Sequence, residues 1–395
     1  MANPYFSYAM AFTISLIAYA FGWSTLYPSL SVTLFLFIAI TIALHLLFSF
    51  YWRNKINMVY FPASQFLNPV IATIFIYILW TVDFIYEGGI PLVKILTNRP
   101  YNYRLFGVPT LHVFTVTFGS FFTVYLFSLF IEQKKKIYLI LYLVNLFAAL
   151  LIYSRAMLLF NISSSVFVYF LKSPRLSWKR ICFLVITPTF LIYLFGLLGT
   201  IRISFESKEK YNSSTFLTIG QASGSFRNSH LPNEFFWGYI YLSSPLANLQ
   251  QNINTFSVPP ASVSRTFQHI YNEMSFDFIS KRINRVLGVE RAAENNLPGT
   301  PFNVSTVYSR SYSYQSWFGM IMMAVVLLII PIVYIKFLPP NRYQITGIAT
   351  LNTMFLFLFY DNTIRFTGLG LQLAYPFLLP AFENAIIHLQ KKIAV

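Results

Sequence analysis

Apolar runs near twenty residues long, separated by short polar connections, fill most of the chain. Ten such runs predict ten membrane spans, at about 5–22, 28–51, 67–86, 109–131, 137–153, 157–171, 181–199, 317–336, 345–360 and 366–388. The fifth and sixth are short enough to form one re-entrant pair. Between the seventh and eighth, polar residues dominate from Thr200 to Gln315. Joining two membrane helices needs no such length, and long loops tend to carry function. The pattern predicts an all-α integral membrane protein of about ten transmembrane helices with a large, partly helical external loop. Its parts are 1–199 (helices 1–7), 200–316 (the loop) and 317–395 (helices 8–10 and a short tail).

Within the loop, Tyr211–Pro232 is rich in Ser, Asn and Gly and reads as irregular. Glu234–Ile253 mixes aromatic and aliphatic residues on a polar background, as in a helix lying in the membrane interface. Ser262–Leu287 reads as one helix ending at Gly288, with an apolar stripe of Phe267, Ile270, Met274, Phe278 and Ile283. His269, Glu273, Asp277 and Lys281 recur every four residues on a different face.

Composition strengthens the membrane assignment: 56% of residues are hydrophobic and only 10% charged, against about 25% charged in soluble domains. The segment Met1–Met10 has no basic stretch or cleavage site, so the first run is expected to be retained as a span. The lone Cys182, inside an apolar run, leaves no disulfide framework or thiolate zinc site.

The formal charge of +16 has two sources. Arg53 and Lys55, Lys134–Lys136, Lys172 to Arg180, Lys336 and Arg342, and Lys391 and Lys392 follow every even-numbered span. The positive-inside rule then puts both termini in the cytoplasm. Basic residues also sit where that rule does not ask for them, at Arg155, Arg365 and through the long external loop. Their presence implies an anionic ligand on that side.

Arg155 lies between two apolar spans, Arg202 follows the seventh, and Arg365 begins the tenth. Guanidinium groups offer paired, planar donors suited to phosphate and never lose their charge, so these three form a candidate phosphate-binding site. Snorkelling to lipid headgroups is the plainer alternative. Glu273 and His269 are the candidate general bases, against the alternative of a solvated helix face. Arg227, Arg282, Asn303 and Arg310 are further external polar candidates. His45, His112 and His388 read as structural. No phosphate loop, dinucleotide fingerprint or paired-carboxylate metal motif occurs, so neither a metal nor another cofactor is expected, nor a nucleic-acid partner.

The feature order resembles the Wzy-type O-antigen polymerases, the repeat-unit polymerases of the bacterial inner membrane. The residues behind the resemblance are Gly89-Ile-Pro-Leu, Phe106-Gly-Val-Pro, Tyr153-Ser-Arg-Ala-Met-Leu-Leu, Tyr241-Leu-Ser-Ser-Pro-Leu-Ala-Asn-Leu, and Phe302-Asn-Val-Ser-Thr with Gly319 after it. It covers most of the chain in layout and only short stretches in sequence. It implies metal-independent glycosyl transfer at the periplasmic face between undecaprenyl-pyrophosphate-linked oligosaccharides, with Arg155, Arg202 and Arg365 on the pyrophosphate and Arg227, Arg282, Asn303 and Arg310 on glycan or acceptor. Membrane lipid and a chain-length regulator protein are the further implied partners. The related O-antigen ligase, which gives glycan to lipid A core, stays open. So does a lipid-linked oligosaccharide flippase or transporter, although neither repeated halves nor mid-membrane polar residues are evident. A membrane acyltransferase would need a supporting motif around His45 or His112, and none is present.

Overall fold

A computed structural model describes residues 3–52, 67–97, 99, 101, 106–172, 193, 196–197, 199–200, 214–260, 262–298 and 302–393. Most of the expected seventh span, Cys182 and Arg202 fall outside them. Among the described residues the protein is all-helical, and the only β contact is a bridge between Ser24 and Ala222.

The apolar runs become α1 (Pro4–Ala20), α2 (Val32–Trp52), α3 (Pro69–Tyr86), a short α4 (Pro91–Leu96), α5 (Leu111–Gln133), α6 (Lys136–Leu151) and α7 (Arg155–Lys172). The polar stretch forms α8 (Thr215–Ile219), α9 (Gly224–Arg227), α10 (Phe235–Thr255), α11 (Val263–Glu273) and α12 (Asp277–Leu287). Then follow α13 (Ser309–Phe337), α14 (Gln344–Phe357), α15 (Thr367–Gly370), a 3₁₀ turn at Leu371–Ala374 and α16 (Tyr375–Ile393). Start signals are local. Asn3 and Asn68 cap α1 and α3 with their side-chain oxygens, each followed by a proline at the first helical position.

Four helices, α2, α3, α5 and α13, are long and apolar enough to cross a membrane. Large apolar side chains such as Leu47, Phe50, Ile71 and Ile85 stand exposed along α2 and α3. So much outward apolar surface belongs against lipid rather than water. At the centre lies α14, buried at every residue from Gln344 to Phe355 and packed against α1 and α7. Helices α6 and α7 join through a tight turn in which Tyr153 takes a left-handed φ of 55°.

Two expectations about the polar stretch change. The segment expected in the membrane interface is a core helix: α10 buries Phe236, Tyr239, Leu246, Asn248 and Asn252 and packs on α1 and α13. Its amides explain this, because Asn248 donates to Phe302 O and Val304 O at 2.8 and 2.7 Å, and Asn252 donates to Ser309 O at 3.0 Å. Polar groups so satisfied can be buried at little cost. The single helix expected over Ser262–Leu287 is a hairpin, broken at Met274–Phe276, where Asp277 N donates to Arg365 O at 2.9 Å.

Helix α13 is itself two pieces. Ser316 takes φ 54° and ψ −143°, so Ser309–Tyr314 folds back on the long apolar run that begins near Trp317. Gly319 permits this, since a Cβ there would stand 2.1 Å from Ser311 O.

Candidate functional site

Ion pairs mark the two ends of the bundle. At one end, Lys172 Nζ donates to Ser128 O at 2.7 Å and to Glu132 at 3.0 Å, joining the C-terminal ends of α5 and α7. Arg155 starts α7 roughly 27 Å away, at 1.5 Å per residue. Around that opposite end gather the 361–365 turn after α14, the α11–α12 hairpin and the segment 288–310.

Arg291, Arg365, Lys281 and Arg310 meet four carboxylates there. Glu273, 1% exposed, accepts two bonds from Arg291, at 2.7 Å from Nε and 2.8 Å from Nη2. Asn362 Nδ2 donates to Glu273 O at 2.7 Å, tying the turn to the hairpin. Arg365 donates to Asn272 O and, at 3.4 Å, to Ser280 Oγ. Asp277 accepts from Thr367 N at 2.8 Å, from the Thr367 hydroxyl and from Lys281 at 2.5 Å. Burial alone would raise the Asp277 carboxyl, but Lys281 and Thr367 together bring it below the ordinary range.

The remaining carboxylates, Asp361 and Glu294, are pushed the other way. Asp361 is open to solvent, yet protein surrounds it on most sides, as in a recess. Burial raises its carboxyl, Glu273 adds to the rise, and Asn362 N, Arg291 and Arg365 oppose it. Glu294 is raised to about 8 by burial first and by Asp361 second, with Arg291 opposing. Arg310 Nε stands 2.8 Å from Glu294 but makes no well-aligned hydrogen bond, so this close contact does not overcome burial.

Linkage fixes a sign. A carboxyl at about 8 when folded and 4.5 when unfolded holds an extra proton in the native state between those values. Stability therefore falls as pH rises from 4.5 to about 8. Glu294→Gln is expected to flatten that decline, measured as melting temperature against pH. A decline unchanged in the variant would place the titration elsewhere.

The sequence candidates separate. Arg155, Arg365, Arg310 and Glu273 come to this end together. Arg155 is half-buried, acts electrostatically on the Tyr360 hydroxyl, and has no carboxylate within ion-pair distance among the described residues. Glu273 is sealed against Arg291, which leaves it poorly suited to serve as a base. Nor does His269 suit that role. It is fully buried, stacks on Tyr314 with centroids 5.6 Å apart, has no hydrogen-bond partner on either ring nitrogen among the described residues, and is lowered to about 4 by burial, with Glu273 opposing. The solvated-face alternative for His269, Glu273 and Asp277 also fails, since all three are buried. Arg282 lies over Phe278 on the outward side of the hairpin, and Arg227 donates to Ala222 O at 3.0 Å in α9. Asn303 is exposed, its carbonyl accepting from Asn296 at 3.4 Å. None of these three touches the cluster among the described residues.

Sequence reasoning left Asp361 and Glu294 within turns and assigned them no role. It also missed a row of aromatic rings: Phe216 on Trp237 (3.4 Å between centroids), Trp237 on Tyr241 (5.9 Å) and Tyr241 beside Tyr360 (6.2 Å), ending next to Asp361. The four-residue spacing of Trp237 and Tyr241 was the available signal. Asp83 went unnoticed as well. It is fully buried, accepts from Val108 N at 2.9 Å and lies 2.9 Å from His112 Nδ1. This gives His112 the structural role expected of it. Two shallow apolar grooves of about 340 and 380 Å³ lie along α3 and between α13 and α16, lined by residues other than those of the cluster.

Breaking the central pair has a calculable cost. Arg291→Ala strands a buried carboxylate, which typically costs about 3–5 kcal/mol. Early thermal aggregation is expected, and a second change, Glu273→Gln, should recover much of the loss. A single variant as stable as the parent would contradict the pairing.

Among the described residues no group of three or more His, Cys, Asp or Glu is placed to hold a metal ion. The arrangement offers an accessible carboxyl, a cation paired with no acid among the described residues, and a stacked aromatic approach. Comparison with family models, curated proteins and solved structures finds no match to the chain.

Proposed function

We propose that the protein transfers glycan from one polyprenyl-diphosphate carrier to a sugar on another, as the Wzy-type O-antigen polymerases do. In this reading the chain spans the bacterial inner membrane ten times, with both termini cytoplasmic and the Asp361 recess on the periplasmic side. The observation that carries it is that Asp361 and Arg155 both act electrostatically on Tyr360, the last ring of the Trp237–Tyr241–Tyr360 row at one end of an apolar bundle.

Each part matches a need of the reaction. The acceptor sugar hydroxyl attacks the anomeric carbon of the donor. As the new C–O bond forms, its proton passes to the Asp361 carboxylate. The bond from the anomeric carbon to the diphosphate breaks, and its electron pair leaves with the lipid diphosphate. Arg155 meets the developing charge with preorganised donors. Sugar rings present apolar C–H faces that stack on aromatic rings, and Tyr and Trp add polar edges. Exposed apolar helix surfaces accept the polyprenyl tail.

A cell lacking the gene is expected to make lipopolysaccharide with core plus a single repeat unit. Loss of all attached antigen would indicate a ligase instead, and an unchanged ladder would remove both readings.

A further inference from the structure

Hairpin α11–α12 is inside out for a water-exposed element. In α11, Val263, Phe267 and Ile270 are exposed at 74%, 64% and 40%, while His269, Asn272 and Glu273 are buried. In α12, Phe278, Ile279, Val286 and Leu287 are exposed and Asp277 and Ser280 buried. At 100° per residue the exposed apolar positions of α11 fall within about 60° of one another, away from its buried polar ones, while those of α12 spread over about half the circumference, with Leu287 bordering buried Ser280. Of the apolar stripe predicted from sequence, Phe267, Ile270 and Phe278 point outward, Met274 packs against the core and Ile283 is half-buried. Arg291 and Thr367 engage the Glu273 and Asp277 carboxylates, and Arg365 and Asn362 the carbonyls of Asn272 and Glu273.

We infer that α11–α12 lies on the bilayer surface, its apolar face among the acyl chains and its basic edge on anionic lipid phosphates. Three observations select lipid as the occupant. On α12, Lys281 and Arg285 border the apolar face and Arg282 lies within it, over Phe278, and all three are exposed. This is the composition of an interfacial helix. The hairpin is also stitched to the 365–367 segment, where Phe366 is 54% exposed, and that segment leads into α16 with Leu378 and Phe382 exposed at 56% and 66%. Its apolar face thus continues the lipid-facing surface of the bundle. A second copy is disfavoured, because two-fold pairing through this face would set the Arg282 and Arg285 guanidiniums of two copies against each other.

The consequence is positional. Glu273 and Asn272 on the inner face hold Arg291 and Arg365, so a hairpin resting on the membrane fixes the height of the recess above the lipid phosphates. The inference needs only that the protein resides in a membrane and stands apart from the transfer chemistry.

Spin labels at Phe267→Cys, Phe278→Cys or Val286→Cys, in a Cys182→Ala background of the full chain, test it by power saturation. The protein is placed in phosphatidylcholine vesicles with and without phosphatidylglycerol, and Ser225→Cys, on an exposed polar site of α9, serves as the aqueous reference. The three labels are expected to be relaxed by oxygen over a water-soluble nickel chelate, with a ratio several-fold above the reference and higher when phosphatidylglycerol is present. Replacing Arg282 and Arg285 with Gln should abolish the lipid dependence. A nickel-dominated response would show a water-facing hairpin, and protection from both reagents would show a protein contact. Either overturns the inference. A ratio indifferent to phosphatidylglycerol would overturn its electrostatic half.

Discussion

Asp361→Asn is expected to lower glycan transfer by about 10²–10⁴-fold, the span ascribed to general acid–base catalysis. The substitution keeps shape and removes proton affinity. Asp361 is singled out over its neighbours by access and freedom. Glu273 is held in two bonds by Arg291, Asp277 is spent on Thr367 and Lys281, and Glu294 is largely enclosed beside Arg310. A carboxyl raised above the ordinary range is also a stronger base once ionised. The rate of the parent enzyme should therefore climb with pH through a limb above the usual carboxylate values. Glu294→Gln should leave transfer within a few-fold of the parent, which separates the two acids. Equal losses from both variants would mean that the pair acts together.

The second large effect is expected at Arg155. Removing one donor to developing charge typically costs about 10²–10³-fold. Arg155 opens α7, where the helix dipole already presents positive potential and a cation is disfavoured. A guanidinium kept there, with no acid beside it among the described residues, makes sense if an anion is its partner. Arg155→Lys should recover little, because a point charge lacks the fork that grips two phosphate oxygens. The loss should fall on turnover with little change in melting temperature. Arg365→Ala should differ by lowering both, since that guanidinium also clasps Asn272 O and Ser280 Oγ.

Much of the architecture is written locally. Run length and caps place α1–α3, α5–α7 and α13 in the sequence, because a helix in lipid must satisfy its own backbone. The turn at Gly288 and the change at Trp317 were legible for similar reasons. Arg155 and Arg365 stood out as charges at the edges of apolar runs. What escaped depends on contacts between distant segments. Nothing near Glu273 in sequence tells that Arg291 will lock it, and nothing near Asp361 tells that it will remain accessible. The α11 and α12 stripes show the same limit. Their periodicity predicts two faces correctly, but which face turns inward was decided by partners at 291 and 361–367. The amide-rich side of α10 was misjudged for that reason too, its acceptors lying some fifty residues away at 302–309.

The most direct measurement is transfer by the purified protein in liposomes supplied with polyprenyl-diphosphate-linked oligosaccharide, in the presence of a chelator. Glycan length on the carrier and free polyprenyl diphosphate would be followed together. One carrier diphosphate released per glycosidic bond formed, continuing in chelator and lost in Asp361→Asn, is the predicted result. Unchanged oligosaccharide with folded parent protein, or extension that persists undiminished in Asp361→Asn, would contradict the account.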